Sequence, residues 1–282
     1  MKQEFILGAI KSAFIEDIGD GDHSSLACVP SAAIGKAKLL VKDEGLLAGV
    51  DIAKQVFEHY DPKMEFNQFM NDGDSIKVGD IVFEIKGASQ SILACERIAL
   101  NIMQRMSGIA TRTAKVVNIL KGTNTKLLDT RKTTPNFRVF EKEAVRIGGG
   151  YNHRFALYDM VMLKDNHIDY AGGIAQALTK TNNYLKSVEK DLKIEIEVRD
   201  FNELDQALKH GGFDRVMLDN FTPKELSQAL KIINKRFETE ASGGITESTI
   251  KGYAETGVDY ISMGALTHQV NSLDLSLKAI DV

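Results

Sequence analysis

Residues 194–219 read IEIEVRDFNELDQALKHGGFDRVMLD, and the order of patterns in this stretch decides the fold. The alternating run IEIEV is typical of a strand, a helical stretch follows it, and a second apolar run, VMLD, ends at Asp219. Two strands joined through a helix predict a βαβ unit, in which the strands lie parallel and the helix covers the sheet.

The same rhythm extends in both directions from this unit. Short apolar runs recur at intervals of roughly 20–35 residues with helical stretches between them, which is the spacing of repeated βα units. The runs are 126–129, 160–164, 194–198, 216–219, 239–242 and 260–263. They fall short of the eight strands of a standard α/β barrel, so we predict an incomplete, barrel-like parallel sheet.

The first hundred residues show a different, α+β pattern. Residues 35–49 predict strand, turn and strand, residues 50–60 predict a helix, and residues 71–87 alternate apolar and polar positions as in a β-hairpin. Residues 90–106 carry apolar side chains at a period near 3.6 and predict another helix, which we expect Ser107-Gly108 to break or bend. We place the domain boundary in this region.

Composition and charge argue against several classes of protein. A net charge of −4 at pH 7 and a pI near 5.9 are unlike those of a general nucleic-acid binder. No segment reaches the roughly 18 apolar residues of a membrane span, so we expect no membrane insertion. Cys28 and Cys95 lack metal-ligand spacing, and we expect free thiols in a reducing cytoplasm rather than a disulfide.

One part of this acidic chain is basic. Residues 127–167 contain seven lysines and arginines against five acids. The basic residues are Arg131, Lys132, Arg138, Lys142, Arg146, Arg154 and Lys164. A local excess of positive charge in a negative chain predicts a small polyanionic ligand rather than a nucleic-acid surface. Arg138 and Lys142 have the pattern of helix-surface charges, and we expect them to lie outside the site.

Almost every predicted strand of the second half ends in polar residues or glycine. The strand ends are Thr130-Arg131-Lys132, Lys164-Asp165-Asn166, Glu197, Asp219-Asn220, Ser242-Gly243-Gly244 and Gly264. Because the carboxyl ends of barrel strands and the loops after them build the active site, these groups predict one polar rim around a binding site.

Three acids near this rim have the chemistry of a charged site. Glu195 and Glu197 share one face of their strand, and we expect both to point into the barrel, where buried acids need cationic, hydroxyl or metal partners. The alternative to a functional role is a purely structural ion pair with Arg131 or Lys164 inside the barrel. For Glu195 the two interpretations are equally favoured. Asp219 and Glu197 could together bind Mg²⁺ and water, accept hydrogen bonds from sugar hydroxyls, or stabilise a cationic transition state.

The remaining rim residues offer anion-binding groups. Ser242-Gly243-Gly244 and Met263-Gly264-Ala265 present backbone N–H groups at strand-to-helix turns, as in the common barrel phosphate site, although either alone also fits a tight turn. Lys164 ends an apolar run and fits either a carboxylate-binding cation or the Schiff-base lysine of an aldolase. His153 could donate a hydrogen bond as a neutral ring; a metal-ligand role is disfavoured because no second histidine has helical metal spacing.

The motifs, in their order, resemble those of the quinolinate phosphoribosyltransferase family. They are CERIALNIMQRMSGIAT, LDTRKTTP, GGGYNHR, VMLKDNHI, IEIEV, VMLDNF, ASGGI and VDYISMGALTH, and the likeness extends over almost the whole chain from EDIGDGD onward. The resemblance implies an N-terminal α/β sandwich domain over 1–108, with 267–282 packing back on it, and an incomplete six-stranded α/β barrel over 109–266.

The resemblance also implies an activity. It is phosphoribosyl transfer from phosphoribosyl pyrophosphate to quinolinate with decarboxylation, giving nicotinate mononucleotide, pyrophosphate and CO₂ in NAD biosynthesis. Mg²⁺ is the implied cofactor and is bound together with the substrate. The resemblance assigns no residue directly to the metal; Glu197 and Asp219 are the candidate ligands. The family works as homodimers, sometimes as hexamers of dimers, in which each subunit contributes to its partner's site.

The site residues follow by motif. The quinolinate pocket is implied to contain Arg131, His153, Arg154 and Lys164, with Arg97 reaching in from the partner subunit. The phosphoribosyl pyrophosphate side is implied to contain Lys132, Glu197, Asp219, Ser242, Gly243 and Gly264. Thr130, Gly244, Met263 and Ala265 complete the substrate-binding set, and catalysis is assigned to Glu197, Asp219, Lys132 and Lys164. The chain departs from the family pattern at Asn136, where glycine is usual, and at Phe155.

Three other functions stay open at this point. A paralogous pyrophosphorylase of the same fold would use another acceptor, such as nicotinate; the cations Arg131, Arg154 and Lys164 favour a dicarboxylate and hence quinolinate. An aldolase would use Lys164 to form a Schiff base. A non-catalytic binding protein would have little use for a complete polar rim.

Overall fold

The computed structural model describes residues 3–280 of the 282-residue chain. Its helices are α1 (Gln3–Ile18), α2 (His23–Cys28), α3 (Val50–Tyr60), α4 (Ser89–Ile119), α5 (Arg138–Ile147), α6 (Asp165–Ala171), α7 (Ile174–Ser187), α8 (Phe201–His210), α9 (Pro223–Ile233), α10 (Ile250–Ala254) and α11 (Ala265–His268). Its strands are β1 (Ile34–Val41), β2 (Gly45–Leu46), β3 (Glu65–Gln68), β4 (Ser75–Ile76), β5 (Ile81–Ala88), β6 (Lys126–Leu128), β7 (Val161–Leu163), β8 (Ile194–Val198), β9 (Arg215–Asp219), β10 (Glu238–Ser242), β11 (Tyr260–Ser262) and β12 (Leu275–Ile280).

The described residues divide into two compact units. The first contains residues 3–115, 132–150 and 266–280, and the second contains residues 116–131 and 151–265. Among residues 3–280, no helix combines the length and the apolar character needed to cross a bilayer.

The first unit is built on a four-stranded antiparallel sheet in the order β12-β1-β5-β3. β1 lies between β12 and β5, and its Leu39 stands opposite Leu277. Phe57 of α3 lies against Phe83 of β5, with ring centroids 6.0 Å apart, and Phe83 lies 4.4 Å from Phe66 of β3. A helix packed on an antiparallel sheet confirms the α+β character predicted for the first hundred residues.

Residues 71–87 do not form the predicted β-hairpin. β4 pairs with β2 in a separate two-stranded sheet, whereas β5 pairs with β1 and β3. The turn between β4 and β5 bonds to β1 instead: the Gly79 N–H donates to the Val41 carbonyl and the Val41 N–H donates to the Asp80 carbonyl, at 3.0 Å each. Alternation located the two strands correctly, but it does not specify which strand each one pairs with.

The predicted break at Ser107-Gly108 is also wrong, because α4 continues unbroken over Ser89–Ile119. Ser107 is fully buried, and its Oγ accepts the Ala48 N–H at 3.0 Å and donates to the Ala48 carbonyl at 3.2 Å. At Gly108 a Cβ would overlap the carbonyl group of Asn271. Both residues therefore allow other chain segments to approach α4 closely, and they do not bend it.

The second unit is built on a six-stranded parallel sheet in the order β6-β11-β10-β9-β8-β7. Each predicted run forms one of these strands, with ends that differ by at most one residue. β8 and β9 pair in parallel on either side of α8, with Ile196 opposite Val216, as the opening stretch predicts. The order is open between β6 and β7, so the sheet is an incomplete barrel and the predicted fold class is confirmed.

Local signals in the sequence set the starts of the helices after β8 and β9. Asp200 caps α8 by accepting the Glu203 N–H at 2.8 Å. Thr222 and Glu225 form a reciprocal capping box at α9, whose first residue is Pro223. Every residue of β8 is buried, so both faces of this strand are covered and its two glutamates lie inside the second unit.

Candidate active site

Glu197 and Asp219 lie at the carboxyl ends of the adjacent strands β8 and β9. Glu197 is 8% exposed, and its Oε2 lies 3.3 Å from Nζ of Lys164, which follows β7. This contact is the ion pair with Lys164 that was considered above as an alternative to a functional role for Glu197. Burial raises the pKa of Glu197, the charge of Lys164 opposes that rise, and the charge of Asp219 adds to it. The end of the sheet thus brings two acids and a lysine together.

Hydrogen bonds hold Asp219 in place. Its Oδ1 accepts from Ser242 Oγ at 2.6 Å, and its Oδ2 accepts from Asn220 Nδ2 at 2.7 Å. Asn220 also donates its N–H to the Ser242 carbonyl at 2.9 Å. Residues that the sequence assigned separately to the polar rim therefore form one network across the ends of β9 and β10.

The turn after β10 requires glycine at its first position. Gly243 has φ +94°, and a Cβ there would lie 2.8 Å from the backbone N of Asn220 and overlap its side chain. Gly244 follows with φ +60°. Backbone of this form is common in loops whose N–H groups bind anions, so the turn suits the predicted phosphate contact.

The second glycine turn, Met263-Gly264-Ala265, follows β11. Met263 is buried and donates its N–H to the Leu128 carbonyl at 3.0 Å, which extends the pairing of β11 with β6. α11 begins at Ala265. Just beyond β6, Thr130 is half-buried and Arg131 is exposed. The predicted rim residues of the second unit thus follow the carboxyl ends of its strands, as expected for a barrel site.

Arg154 is half-buried, and its guanidinium is held by the main chain. Its Nη1 donates to the Met160 carbonyl at 3.1 Å, and Asp159 closes the loop between them by accepting the Phe155 N–H at 2.7 Å. Burial lowers the pKa of Arg154, and the positive charge of Arg131 lowers it further. A second guanidinium whose charge acts on Arg154 in this way favours a ligand with more than one anionic group.

His153 is buried between two glutamates. Its Nε2 lies 2.8 Å from Oε2 of Glu195 and 3.4 Å from Oε2 of Glu240, a residue of β10. Its Nδ1 accepts the Arg154 N–H at 2.6 Å. Glu195 therefore pairs with His153 and with neither of the cations considered for it, because it lies one layer further than Glu197 from the carboxyl end of β8.

Two opposed influences act on the His153 ring. Burial lowers its pKa, but the hydrogen bonds and negative charges of Glu195 and Glu240 raise it to about 9. That value favours an imidazolium at pH 7, whereas the contact from the Arg154 N–H requires an unprotonated Nδ1. The contact decides, since an imidazolium would set two N–H groups against each other at 2.6 Å. We therefore assign the neutral ring with its proton on Nε2, facing Glu195.

Two of the predicted site residues, Arg97 and Lys132, belong to the first unit. Arg97 is exposed on α4. Lys132 is also exposed, and its carbonyl accepts from Thr267 Oγ1 at 2.8 Å. Both residues are therefore accessible to solvent.

The loop after Lys132 is anchored by Glu141 of α5. Glu141 is fully buried, and its Oε1 accepts from Arg105 Nη2 and from Thr134 Oγ1 at 2.9 Å each. Lys142 is only 2% exposed, so its assignment to a helix surface is wrong. Nothing in the sequence indicated that the adjacent residues Glu141 and Lys142 are buried, because neighbouring opposite charges are typical of solvated helix faces.

Comparisons with known proteins extend over both units. Residues 22–107 match the family model for the N-terminal domain of quinolinate phosphoribosyl transferase, and residues 109–278 match the model for its C-terminal domain. The chain belongs to the quinolinate phosphoribosyltransferase family.

Similar proteins come from plants and bacteria. The chain is 41% identical to quinolinate phosphoribosyltransferase [decarboxylating] 1b of Nicotiana tabacum, over 96% of this chain and 81% of that protein. It is also 41% identical to the probable nicotinate-nucleotide pyrophosphorylase [carboxylating] of Bacillus subtilis, over 94% of this chain and 90% of that protein. The crystal structure of NadC from Streptococcus pyogenes has 40% sequence identity and superposes with a TM-score of 0.91, covering 100% of this chain and 99% of that one.

The sequence patterns missed several charged residues of the second unit. Arg215 Nη1 donates to Oε2 of Glu240 at 3.1 Å within the parallel sheet. Asp129 is fully buried and accepts the His153 N–H at 2.8 Å. Strand alternation could have found Glu240, because it lies on the same face as Ser242 two residues later. No comparable pattern marks Asp129.

Proposed function

We propose that this chain transfers the phosphoribosyl group of phosphoribosyl pyrophosphate to quinolinate with loss of CO₂, giving nicotinate mononucleotide and pyrophosphate for NAD biosynthesis. The observation that carries the proposal is the charge arrangement of the second unit. The positive charge of Arg131 acts on Arg154, while Lys164 pairs with Glu197 near Asp219. Cations suited to a dicarboxylate thus adjoin acids suited to a cationic sugar.

The cations orient the acceptor. Arg131, Arg154 and Lys164 bind the two quinolinate carboxylates, so that the ring nitrogen faces the anomeric carbon of the ribose. Holding two reactants in this geometry replaces an encounter in solution, which can contribute several kcal/mol to the rate. Arg154 suits the task because its hydrogen bond to the Met160 carbonyl limits its movement.

The acids stabilise the sugar as the bond to pyrophosphate breaks. Positive charge develops on the ribose ring when the leaving group departs, and Glu197 and Asp219 can lie against that charge and against the sugar hydroxyls. Ser242, Gly243 and Gly264 provide hydrogen-bond donors for phosphate oxygens. Lys132 adds a cation for the same polyphosphate.

Decarboxylation follows from the first step. Once the ring nitrogen carries the ribose, the cationic ring accepts the electron pair left when the adjacent carboxylate departs as CO₂. A proton then adds to that ring carbon, which completes nicotinate mononucleotide. The residues that bound the departing carboxylate hold it away from water until it leaves.

Mg²⁺ fits the oxygen donors at the strand ends. Glu197 and Asp219 present carboxylates on adjacent strands, and Mg²⁺ is usually held by one or two carboxylates together with waters and substrate phosphates. When bound, the ion would neutralise charge on the pyrophosphate. We propose these two acids as its protein ligands.

We further propose a homodimer in which Arg97 enters the partner's site. Support comes from its exposure on α4, which leaves a guanidinium open to another chain. Dimers could assemble further into hexamers. We propose a cytoplasmic location, in keeping with Cys28 and Cys95, which are both free thiols.

The deciding experiment mixes the protein with quinolinate, phosphoribosyl pyrophosphate and Mg²⁺ and measures nicotinate mononucleotide. A parallel reaction with nicotinate tests the paralogous function. We expect product from quinolinate and little from nicotinate, which has a single carboxylate for three cations. Product from nicotinate alone would replace the proposal, and borohydride trapping of a substrate on Lys164 would favour an aldolase.

A further inference from the structure

One group of buried charges in the second unit has no part in the chemistry above. His153, Glu195 and Glu240 are at most 8% exposed, and their donor atoms lie within 4.8 Å of one another. The Glu195 carboxylate lies 2.8 Å from the His153 ring, and neither of its oxygens has a partner in hydrogen-bond geometry within residues 3–280. The His153 ring is thus the polar group in direct contact with this buried acid.

Burial of Glu195 carries a cost. Burial and the charge of Glu240 raise the pKa of Glu195 to about 7. Glu240 is better compensated, because Arg215 donates to it at 3.1 Å. The contact of Glu195 with His153 is therefore the one that explains its position.

The His153 ring connects these acids to Arg154. Its Nε2 faces Glu195 and Glu240, while its Nδ1 accepts the Arg154 N–H at 2.6 Å. The His153 N–H is held by the buried Asp129 at 2.8 Å. With both ring nitrogens turned to protein groups, a rotation of the ring would release the main chain of Arg154.

We propose that Glu195 and Glu240 are positioning residues, which hold the His153 ring so that it fixes the main chain of Arg154 for binding the dicarboxylate. The inference rests on the proposed function, in which quinolinate is the ligand of Arg154. It makes His153 a support for Arg154 rather than a direct contact of the ligand.

A metal ion is the competing explanation, since a histidine and two carboxylates are metal ligands. Two contacts favour direct pairing of these side chains instead. The short distance between His153 and Glu195 suits a shared proton, and Arg215 already supplies a positive charge beside Glu240. A cation would have to displace that proton and lie next to the guanidinium.

The test compares two substitutions of similar length. E195Q retains an oxygen that can accept from His153, whereas E195M fills similar space without an acceptor. We expect E195M to raise KM for quinolinate about tenfold or more with little change in KM for phosphoribosyl pyrophosphate, and E195Q to stay within about threefold of the parent. The matched control is E238Q. Glu238 contacts Arg215 at 3.1 Å, as Glu240 does, but it is not paired with His153. It should behave as the parent.

Parent-like quinolinate KM in E195M, or equal defects in E195M and E195Q, would overturn the inference. If the protein without substitutions makes no nicotinate mononucleotide, the proposed function is overturned instead. If E195M does not fold, ¹⁵N NMR of labelled histidine in the parent and E195Q decides the question, with His153 assigned by the loss of its signal in H153N. The proton should be on Nε2 in both; a proton on Nδ1, or a divalent metal retained by the parent and lost from E195Q, rejects the inference.

Discussion

Glu195 and Glu197 share one face of β8, yet their surroundings give them different chemistry. Glu197 lies at the end of the strand, where the charge of Lys164 opposes the rise of its pKa. Glu195 is fully buried beside the neutral ring of His153, and its pKa rises to about 7. One layer of depth therefore separates an acid that can face a ligand from an acid that supports other residues.

Arg154→Ala should weaken quinolinate binding severely, because it removes the paired N–H donors that recognise a carboxylate. We expect KM for quinolinate to rise about a hundredfold or more, with an intermediate value for Arg154→Lys, which retains the charge. Titration calorimetry and steady-state kinetics measure both. Arg146→Ala is the control, since Arg146 is exposed and pairs with Glu143 in the first unit. Parent-like affinity in the alanine variant would refute the assignment of Arg154.

Glu197→Gln should act on kcat. The amide retains the shape of the side chain but removes the negative charge that stabilises the developing cation, so we expect kcat to fall about a hundredfold while KM for quinolinate changes little. Steady-state kinetics at saturating phosphoribosyl pyrophosphate give the two constants separately. An unchanged kcat with a raised KM would mean that Glu197 serves in binding alone.

At the scale of elements, the turn after β10 shows how backbone shape positions a site. Gly243→Ala would force a Cβ onto Asn220 in addition to the strain of a positive φ. We expect stability to fall by about 2–4 kcal/mol and KM for phosphoribosyl pyrophosphate to rise at least tenfold. Gly257→Ala is the matched control, because φ is +87° there but a Cβ meets nothing within 4 Å. Equal effects of both substitutions, by urea unfolding and kinetics, would show that strain alone is responsible.

The start of α3 gives a prediction about pH. Asp72 accepts the Val50 N–H at 2.8 Å, and burial raises its pKa to about 6. Because its pKa is raised in the folded state, Asp72 binds its proton more tightly in the folded protein than in the unfolded chain. The bound proton therefore stabilises the folded state near pH 4, and this stabilisation is lost as pH rises through 6. Asp72→Asn keeps the acceptor without the charge. Urea unfolding should give similar stabilities near pH 4 and a variant more stable by roughly 2–3 kcal/mol at pH 8; parallel curves would contradict the cause given.

At the scale of the whole molecule, the candidate residues are divided between two units of one chain. Arg97 and Lys132 belong to the first unit, and the other predicted site residues described here belong to the second. If Arg97 completes the partner's site, variants of Arg97 and Arg154 carry their defects in different sites of a mixed dimer.

Arg97→Met and Arg154→Met should each be inactive alone and regain activity when mixed under conditions of subunit exchange. Random exchange makes half of the dimers mixed, each with one intact site, so about a quarter of the parent activity should return. Production of nicotinate mononucleotide measures the recovery. A mixture that stays inactive, although labelled subunits exchange, would show that each site is made by a single chain.

Much of the architecture could be predicted because its signals are local. The alternation in IEIEV, the spacing of the apolar runs and the polar residues at their ends depend on near neighbours in the chain, and they identified the six parallel strands and the acids Glu197 and Asp219. The helix starts at Asp200 and Thr222 are local in the same way.

The tertiary structure decided what depends on contacts between distant residues. It assigned β4 and β5 to different sheets, kept α4 continuous through Ser107-Gly108, and buried Lys142. It also gave Glu195 to His153 and brought Glu240 beside them, because neighbouring strands of a parallel sheet come from separate parts of the chain. Pattern determines which face a residue occupies; the partner on that face is set only when the strands pair.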